Sequence, residues 1–186
     1  MEKETNQRVC PVENAGMLEH PLRRLFQNPS KILKPYIKPG MNILEFGCGP
    51  GFFTLDIAKM LGESGKVIAA DLQEGMLEIV RKKIQNTALK DRIELFKCPQ
   101  DKIGITEQVD LFLAFYVVHE VPDQHRLFTE IKSILKPGGK LLIVEPGFHV
   151  KKKEFEAMTG NLIDAGFIVE SRPKVCFSRA IILKNK

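Results

Sequence analysis

Five short runs rich in Ile, Leu, Val and Phe, at residues 42–46, 66–70, 93–97, 109–115 and 140–145, show no alternation of apolar and polar positions. Strands buried on both faces read this way, so these runs predict the core of a parallel sheet. Between them lie stretches with helical spacing, at 52–61, 76–84 and 124–135. In the last, Leu127, Ile131, Ile134 and Leu135 fall at i, i+4, i+7 and i+8, the stripe of a helix with one buried face. Strands alternating with helices imply an α/β fold with helices on both faces of the sheet.

The ends of the chain follow a different pattern. Lys136-Pro137-Gly138-Gly139 predicts a helix stop and a turn before the fifth strand, because proline cannot continue the helix and glycine accepts the left-handed turn. A helix is expected over 151–165, ending at Gly166. Strands at 167–172 and 175–183, with Pro173 between them, read as an antiparallel closing hairpin joined by a tight turn. Upstream, 17–26 and 29–37 read as short helices interrupted by Pro21, Pro29 and Pro35. They either cap a site or pack on the core.

A chain of 186 residues with 44% hydrophobic content fits a single domain over 1–186, with 1–40 as a helical extension or cap. Its apolar runs fall far short of the ~20 residues needed to cross a bilayer, and residues 1–11 lack the pattern of a secretory signal, so a cytoplasmic location is expected. Cys10, Cys48, Cys98 and Cys176 are too scattered for a zinc knuckle or redox dithiol, and no metal is expected. The net charge of +5 is concentrated at the two ends, with Lys151, Lys152 and Lys153 its main cluster. Ordinary solvated lysines explain it better than a nucleic-acid surface.

The chemistry concentrates where the first strand meets its helix. There the chain runs Ile43-Leu44-Glu45-Phe46-Gly47-Cys48-Gly49-Pro50-Gly51-Phe52, a strand entering Gly-x-Gly-x-Gly. Such a loop turns tightly and lets a ligand approach the backbone. A nicotinamide dinucleotide favours Gly-x-Gly-x-x-Gly, and Phe52 stands where its third glycine would be. Glu45 would repel a pyrophosphate but attract an ammonium or sulfonium cation. Asp71 ends the second strand, 20 residues beyond Gly51, where a carboxylate can accept the hydroxyls of a ribose.

In this order the motifs resemble those of the class I S-adenosylmethionine-dependent methyltransferases, especially the small-molecule enzymes of ubiquinone and menaquinone biosynthesis, over about residues 29–183. Glu45 to Gly51 is similar to that family's first motif, Asp71 to its ribose acid, and Leu135 to Lys140 to the turn before its fifth strand. The resemblance implies a Rossmann-like, doubly wound, mostly parallel seven-stranded sheet of order 3-2-1-4-5-7-6 with strand 7 antiparallel. It implies S-adenosyl-L-methionine as cofactor, with Glu45 near the methionine amino group and Gly47, Cys48, Gly49 and Gly51 against the amino-acid part. Asp71 and Leu72 would lie by the ribose, and Met76 or Leu77 beside the adenine. The family's usual acid after strand 3 has no clear match, which leaves Gln100 and Asp101 as adenine neighbours. Phe115 ends the strand that borders the sulfonium.

By the same resemblance, the stretch Tyr116 to Pro122 borders both the sulfonium and the acceptor, and makes Tyr116, His119 and Glu120 the local catalytic candidates. His119 is suited by pKa to take a proton from a phenol, enol or amine; the alternative is a histidine that orders its loop. His20, Glu145 and His149 are lesser candidates. The Asp/Asn-Pro-Pro-aromatic motif of enzymes that methylate exocyclic nitrogens of bases is absent at Tyr116, and Cys98 precedes Pro99 instead of following a proline. A small-molecule acceptor is therefore expected, in a site shaped by residues 17–26. A non-catalytic cofactor-binding protein and an RNA methyltransferase remain the alternatives, and a nicotinamide oxidoreductase a more distant one.

Overall fold

The computed structural model describes residues 10–18 and 20–186. Its strands are β1 (Asn42–Phe46), β2 (Lys66–Asp71), β3 (Ile93–Lys97), β4 (Val109–Phe115), β5 (Leu135–Pro146), β6 (Ile168–Ser171) and β7 (Ser178–Lys184). Its helices are α1 (Ala15–Leu18), α2 (Pro21–Phe26), α3 (Pro29–Leu33), α4 (Thr54–Leu61), α5 (Glu74–Ile84), α6 (Gln124–Ile134) and α7 (Lys152–Asp164). The strands form one sheet in the order β3-β2-β1-β4-β5-β7-β6. β1 to β5 pair in parallel, and β7 runs antiparallel to both β5 and β6, as the resemblance implies.

Successive residues of a strand point to opposite faces, and here both faces are buried. Ile43, Leu111, Leu113 and Val144 join Leu33, Phe53, Ile57, Leu61 and Val80 in one core, under α3, α4 and α5. Their neighbours Leu44, Phe112, Ala114 and Ile143 join Leu127, Phe128, Ile131, Phe155 and Leu162 in the other, under α6 and α7. This double burial is why the strands read as unbroken apolar runs.

Several boundaries differ from the expectations, each for a local reason. α4 begins at Thr54, because Phe52 and Phe53 belong to the turn, where both are buried. Pro21 and Pro29 start helices; they occupy the first helical turn, where the missing N–H is harmless. His20 caps α2 by accepting the Leu22 N–H at 3.3 Å, and Asn28 caps α3 by accepting that of Lys31 at 3.0 Å. α6 stops at Ile134, but residues 136–139 form a bulge inside β5, whose register steps from Val109↔Leu135 to Leu111↔Lys140. The C-terminus holds this bulge: Gly138 donates to the Asn185 carbonyl at 3.1 Å, and the Asn185 side chain donates to that of Leu135 at 2.8 Å. The β6–β7 connection is longer than a tight turn, because Val175 dips into the core before Ser178 starts β7.

Among the described residues no helix is long and apolar enough to cross a membrane. Strand order reverses between β1 and β4, so the crevice beyond their carboxyl ends is the position where open α/β sheets bind ligands.

Candidate active site

At that crevice the chain leaves β1 through Gly47 (φ +71°) and Gly49 (φ +53°). Both need the left-handed region that glycine enters without a Cβ clash. Their surroundings differ. A Cβ on Gly47 would sit 2.6 Å from Val117 Cγ2, so its bare backbone lets the loop close against the segment after β4. A Cβ on Gly49 would meet only Leu18 Cδ1, at 3.8 Å, so open space lies between the loop and α1. The loop is tied to the next strand, Gly47 and Cys48 both donating to the Ala70 carbonyl, at 2.8 and 3.0 Å.

Asp71 braces this loop. One carboxylate oxygen accepts the Gly49 N–H at 2.8 Å and the other the Gln73 N–H at 2.9 Å. Each carboxylate oxygen has two acceptor sites, so both keep capacity for a ligand hydroxyl. Burial raises the Asp71 pKa, and the N–H groups of Gln73, Gly49 and Leu72 oppose that rise. Glu45 lies deeper, 3% exposed, and accepts the Thr54 hydroxyl at 2.6 Å. Burial, with a smaller push from Asp71, raises it to about 8 against the pull of Thr54 and Arg23. Glu120, raised to about 7 chiefly by burial, feels Asp71 and Glu145 as well. Burial and the charge of Asp71 thus raise both Glu45 and Glu120, an arrangement that a cation relieves.

The N-terminal segment lies across this acidic cleft. The Cys10 carbonyl accepts from Gln73 Nε2 at 2.8 Å, its N–H reaches the Glu120 carboxylate, and Val12 rests against Gly75. Cys10 and Val12 thus contact the start of α5 and the turn after β4, while Leu33 and Ile37 further along pack into the core.

Beyond β4 the character changes. Tyr116 adopts φ +63°, and its hydroxyl bonds Ser178 Oγ at 2.6 Å and accepts from the Gln27 amide. It lines a cavity of about 770 Å³ together with Met17, Leu18, Arg23, Phe26, Gln27, Gly147, Phe148, Phe177, Ser178 and Arg179. Among the described residues Tyr116 and Phe177 (φ +57°) are the two non-glycine residues at positive φ, and both line this cavity. Backbone strain of that kind gathers at functional sites. Arg23 lies 4.2 Å over the Phe52 ring and donates to Gln27 and to the Leu18 carbonyl.

His119 is not in that lining. Its Nδ1 lies 2.5 Å from Glu145, which also accepts the backbone N–H of Val118 at 2.9 Å and of His119 at 3.3 Å. Burial lowers the His119 pKa, but its hydrogen bond to Glu145 and the charges of Glu145 and Glu120 outweigh that, and the balance is upward. Its ring meets His149 edge-on at 4.9 Å. Glu145, wholly buried, is thus a strut for the turn that follows Tyr116.

The structure brings Glu45, Gly47, Cys48, Gly49, Gly51, Asp71 and Glu120 to one end of the sheet, and places Leu72 partly exposed beside them. Phe115 packs its ring 4.3 Å from Phe53, and Met76 and Leu77 are buried in the first turn of α5. Gln100 and Asp101 are exposed after β3, where Asp101 pairs with Arg126 at 3.3 Å. Gln27, Ser178 and Arg179 had no signal in the sequence, because only the fold brings residues 27, 116 and 178 together. Among the described residues no group of His, Cys, Asp and Glu could hold a metal ion, and burial is the chief cause of the raised thiol pKa of Cys48 and of Cys98, the latter to about 12.

Comparison with known proteins agrees with this arrangement. Residues 37–173 match the methyltransferase domain family. The demethylmenaquinone methyltransferase of Lactococcus lactis is 33% identical over 128 residues, 67% of this chain and 50% of that protein. The ubiquinone/menaquinone biosynthesis C-methyltransferase of Cronobacter sakazakii is 26% identical over 131 residues, 68% of this chain and 52% of that protein. The chain spans about half the length of these curated relatives. Among solved structures, a SAM-dependent methyltransferase from Aquifex aeolicus superposes with a TM-score of 0.85 at 27% identity, covering 96% of this chain and 100% of that one. The sheet order, the glycine loop with its facing acids and the match over 37–173 converge: the chain belongs to the methyltransferase domain family, in its class I, S-adenosylmethionine-dependent branch.

Proposed function

We propose that this chain transfers a methyl group from S-adenosylmethionine to a small-molecule acceptor. The observation that carries the reading is the meeting, at the switch point of the sheet, of a carboxylate-lined glycine loop with a mainly apolar cavity of about 770 Å³. The first suits a cationic nucleoside and the second an organic acceptor.

The donor set fits the cofactor, because Glu45, Asp71 and Glu120 hold their protons too tightly in its absence and a cation would stabilise their ionised forms. Asp71 would accept ribose hydroxyls with its remaining lone pairs, and Glu45 would attract the ammonium group. When bound, S-adenosylmethionine supplies a methyl carbon already activated by positive sulfur. The protein's work is then to align the acceptor and exclude water. Tyr116 is the catalytic candidate, with a hydroxyl in the cavity wall and held by Ser178 and Gln27. His119, fixed by Glu145, orders the turn that carries Tyr116 and is a positioning residue.

In this reading residues 1–186 act as one unit with 1–40 as the cap, working in the cytoplasm without nucleic acid. Residues 1–9 and 19 lie outside the described residues. Incubation with labelled S-adenosylmethionine and a metabolite extract tests it. Label transfer with S-adenosylhomocysteine release is expected. Tight cofactor binding without turnover on any extract would favour a non-catalytic binder, and transfer to RNA alone would move the acceptor to another class.

A further inference from the structure

Arg179 occupies an unusual place among the arginines. It is the second residue of β7, opposite Glu145 in the antiparallel register, and beyond it β7 turns apolar, with Ile181, Ile182 and Leu183 fully buried. Arg24, Arg81, Arg126 and Arg172 each pair with a carboxylate. Arg179 has no such partner among the described residues, and its Nε is the one buried side-chain nitrogen or oxygen among them without a hydrogen bond. A buried donor left unsatisfied costs the full desolvation of that group, so Arg179 gains if its guanidinium turns to an acceptor supplied in the cavity it lines.

The surroundings define the ligand's chemistry. Arg179 lines the cavity beside Tyr116, and its guanidinium lies along Gly147, where a Cβ would come within 3.0 Å of Nη1. The lining contains two guanidiniums and no carboxylate, whereas the glycine-loop side holds Glu45, Asp71 and Glu120. The outer wall is apolar: Phe148 is 84% exposed, Phe177 67%, and Met17 75%. Large apolar side chains grouped in this way around a cavity mark a binding surface for an apolar body.

We infer that Arg179 is the specificity-determining residue of the acceptor site, and that the acceptor is an amphipathic carboxylate whose apolar body rests on Phe26, Phe148 and Phe177. The planar fork of arginine matches a carboxylate through two parallel hydrogen bonds, which a lysine cannot reproduce. Opposite fields on the two sides of Tyr116 would sort a cationic cofactor from an anionic acceptor. The inference rests on reading this cavity as the acceptor side of a methyltransferase.

The test uses the full chain saturated with S-adenosylhomocysteine and, as probes, 2-naphthoate and its uncharged analogue 2-naphthamide, followed by titration calorimetry. Naphthoate is expected to bind about tenfold or more tightly than the amide. Arg179→Gln should remove that preference, chiefly by weakening naphthoate, and leave S-adenosylhomocysteine affinity unchanged; Arg179→Lys should retain only part of it. Equal affinities for the two probes, undetectable naphthoate binding, or a preference that survives in Arg179→Gln overturns the inference. Failure of the wild-type chain to bind S-adenosylhomocysteine, seen in the first titration, overturns the cofactor reading instead.

Discussion

The two sides of Tyr116 solve different problems. On the β1–β2 side, the groups at the crevice are mostly backbone and carboxylate, and each carboxylate is held by a donor nearby in space: Asp71 by Gly49 and Gln73, Glu45 by Thr54. On the β5–β7 side the groups are hydroxyl, amide, guanidinium and aromatic ring, contributed by residues 27, 116, 147, 148 and 177 to 179. The first side is braced by hydrogen bonds and lined with carboxyl groups. The second is mainly apolar, strained at Tyr116 and Phe177, and open at its rim, where Phe148 and Phe177 are exposed.

Breaking the first side should have the largest effect. Gly49→Val puts a branched side chain into the open space above the loop at φ +53°, and S-adenosylhomocysteine binding by calorimetry should fall below detection while far-ultraviolet circular dichroism stays native. Retained binding would put the ligand elsewhere. Asp71→Ala comes next. Loss of charged hydrogen bonds to a ligand is worth about 1–3 kcal/mol, so affinity should drop about 5- to 150-fold, and the freed Gly49 and Gln73 N–H groups should lower Tm as well.

The same contrast explains what the sequence made legible. β1 and β4 were read to the residue because burial on both faces leaves a largely apolar run, and the edge strand β3 because Ile93, Leu95 and Phe96 still stand out between polar neighbours. The loop and Asp71 were legible because strand, turn and acid follow one another within about thirty residues of chain. The bulge at 136–139 was not, since the partner that holds it is Asn185, far along the chain. Nor were Gln27, Ser178 and Arg179, which only the fold brings to Tyr116. His119 and Asp101 were legible as polar residues of these stretches, whereas their partners Glu145 and Arg126 became visible only in the fold.

A smaller effect should separate the two sides cleanly. Tyr116→Phe removes the hydroxyl that joins Ser178 and Gln27 but keeps the ring against Phe115, 4.6 Å away. Losing net hydrogen bonding of about 1 kcal/mol should lower Tm by roughly 2–4 °C. Cofactor affinity should not move, because no hydrogen bond of that hydroxyl reaches the glycine loop. A change in S-adenosylhomocysteine affinity as large as that of Asp71→Ala would erase the distinction.

The mildest probe is pH, and its sign is fixed by the carboxylates. Glu45, at about 8, holds its proton more tightly in the folded chain than in the unfolded one, where an ordinary carboxyl ionises near 4.5. Between those values the folded state carries the extra proton, so the stability of the ligand-free protein falls as pH rises through that window. Glu120, at about 7, adds a slope of the same sign, as does the raised His119. Cofactor affinity should run the other way, since a cation binds best to the ionised acids: S-adenosylmethionine should bind more tightly at about pH 7.5 than at about pH 6. Glu45→Gln retains an acceptor for Thr54 but cannot ionise, so it should flatten both trends, leaving the residual slope of Glu120 and His119. Thermal melts and calorimetry across this range read both slopes. Should stability and cofactor affinity rise together with pH, the buried acids are not where the cation sits.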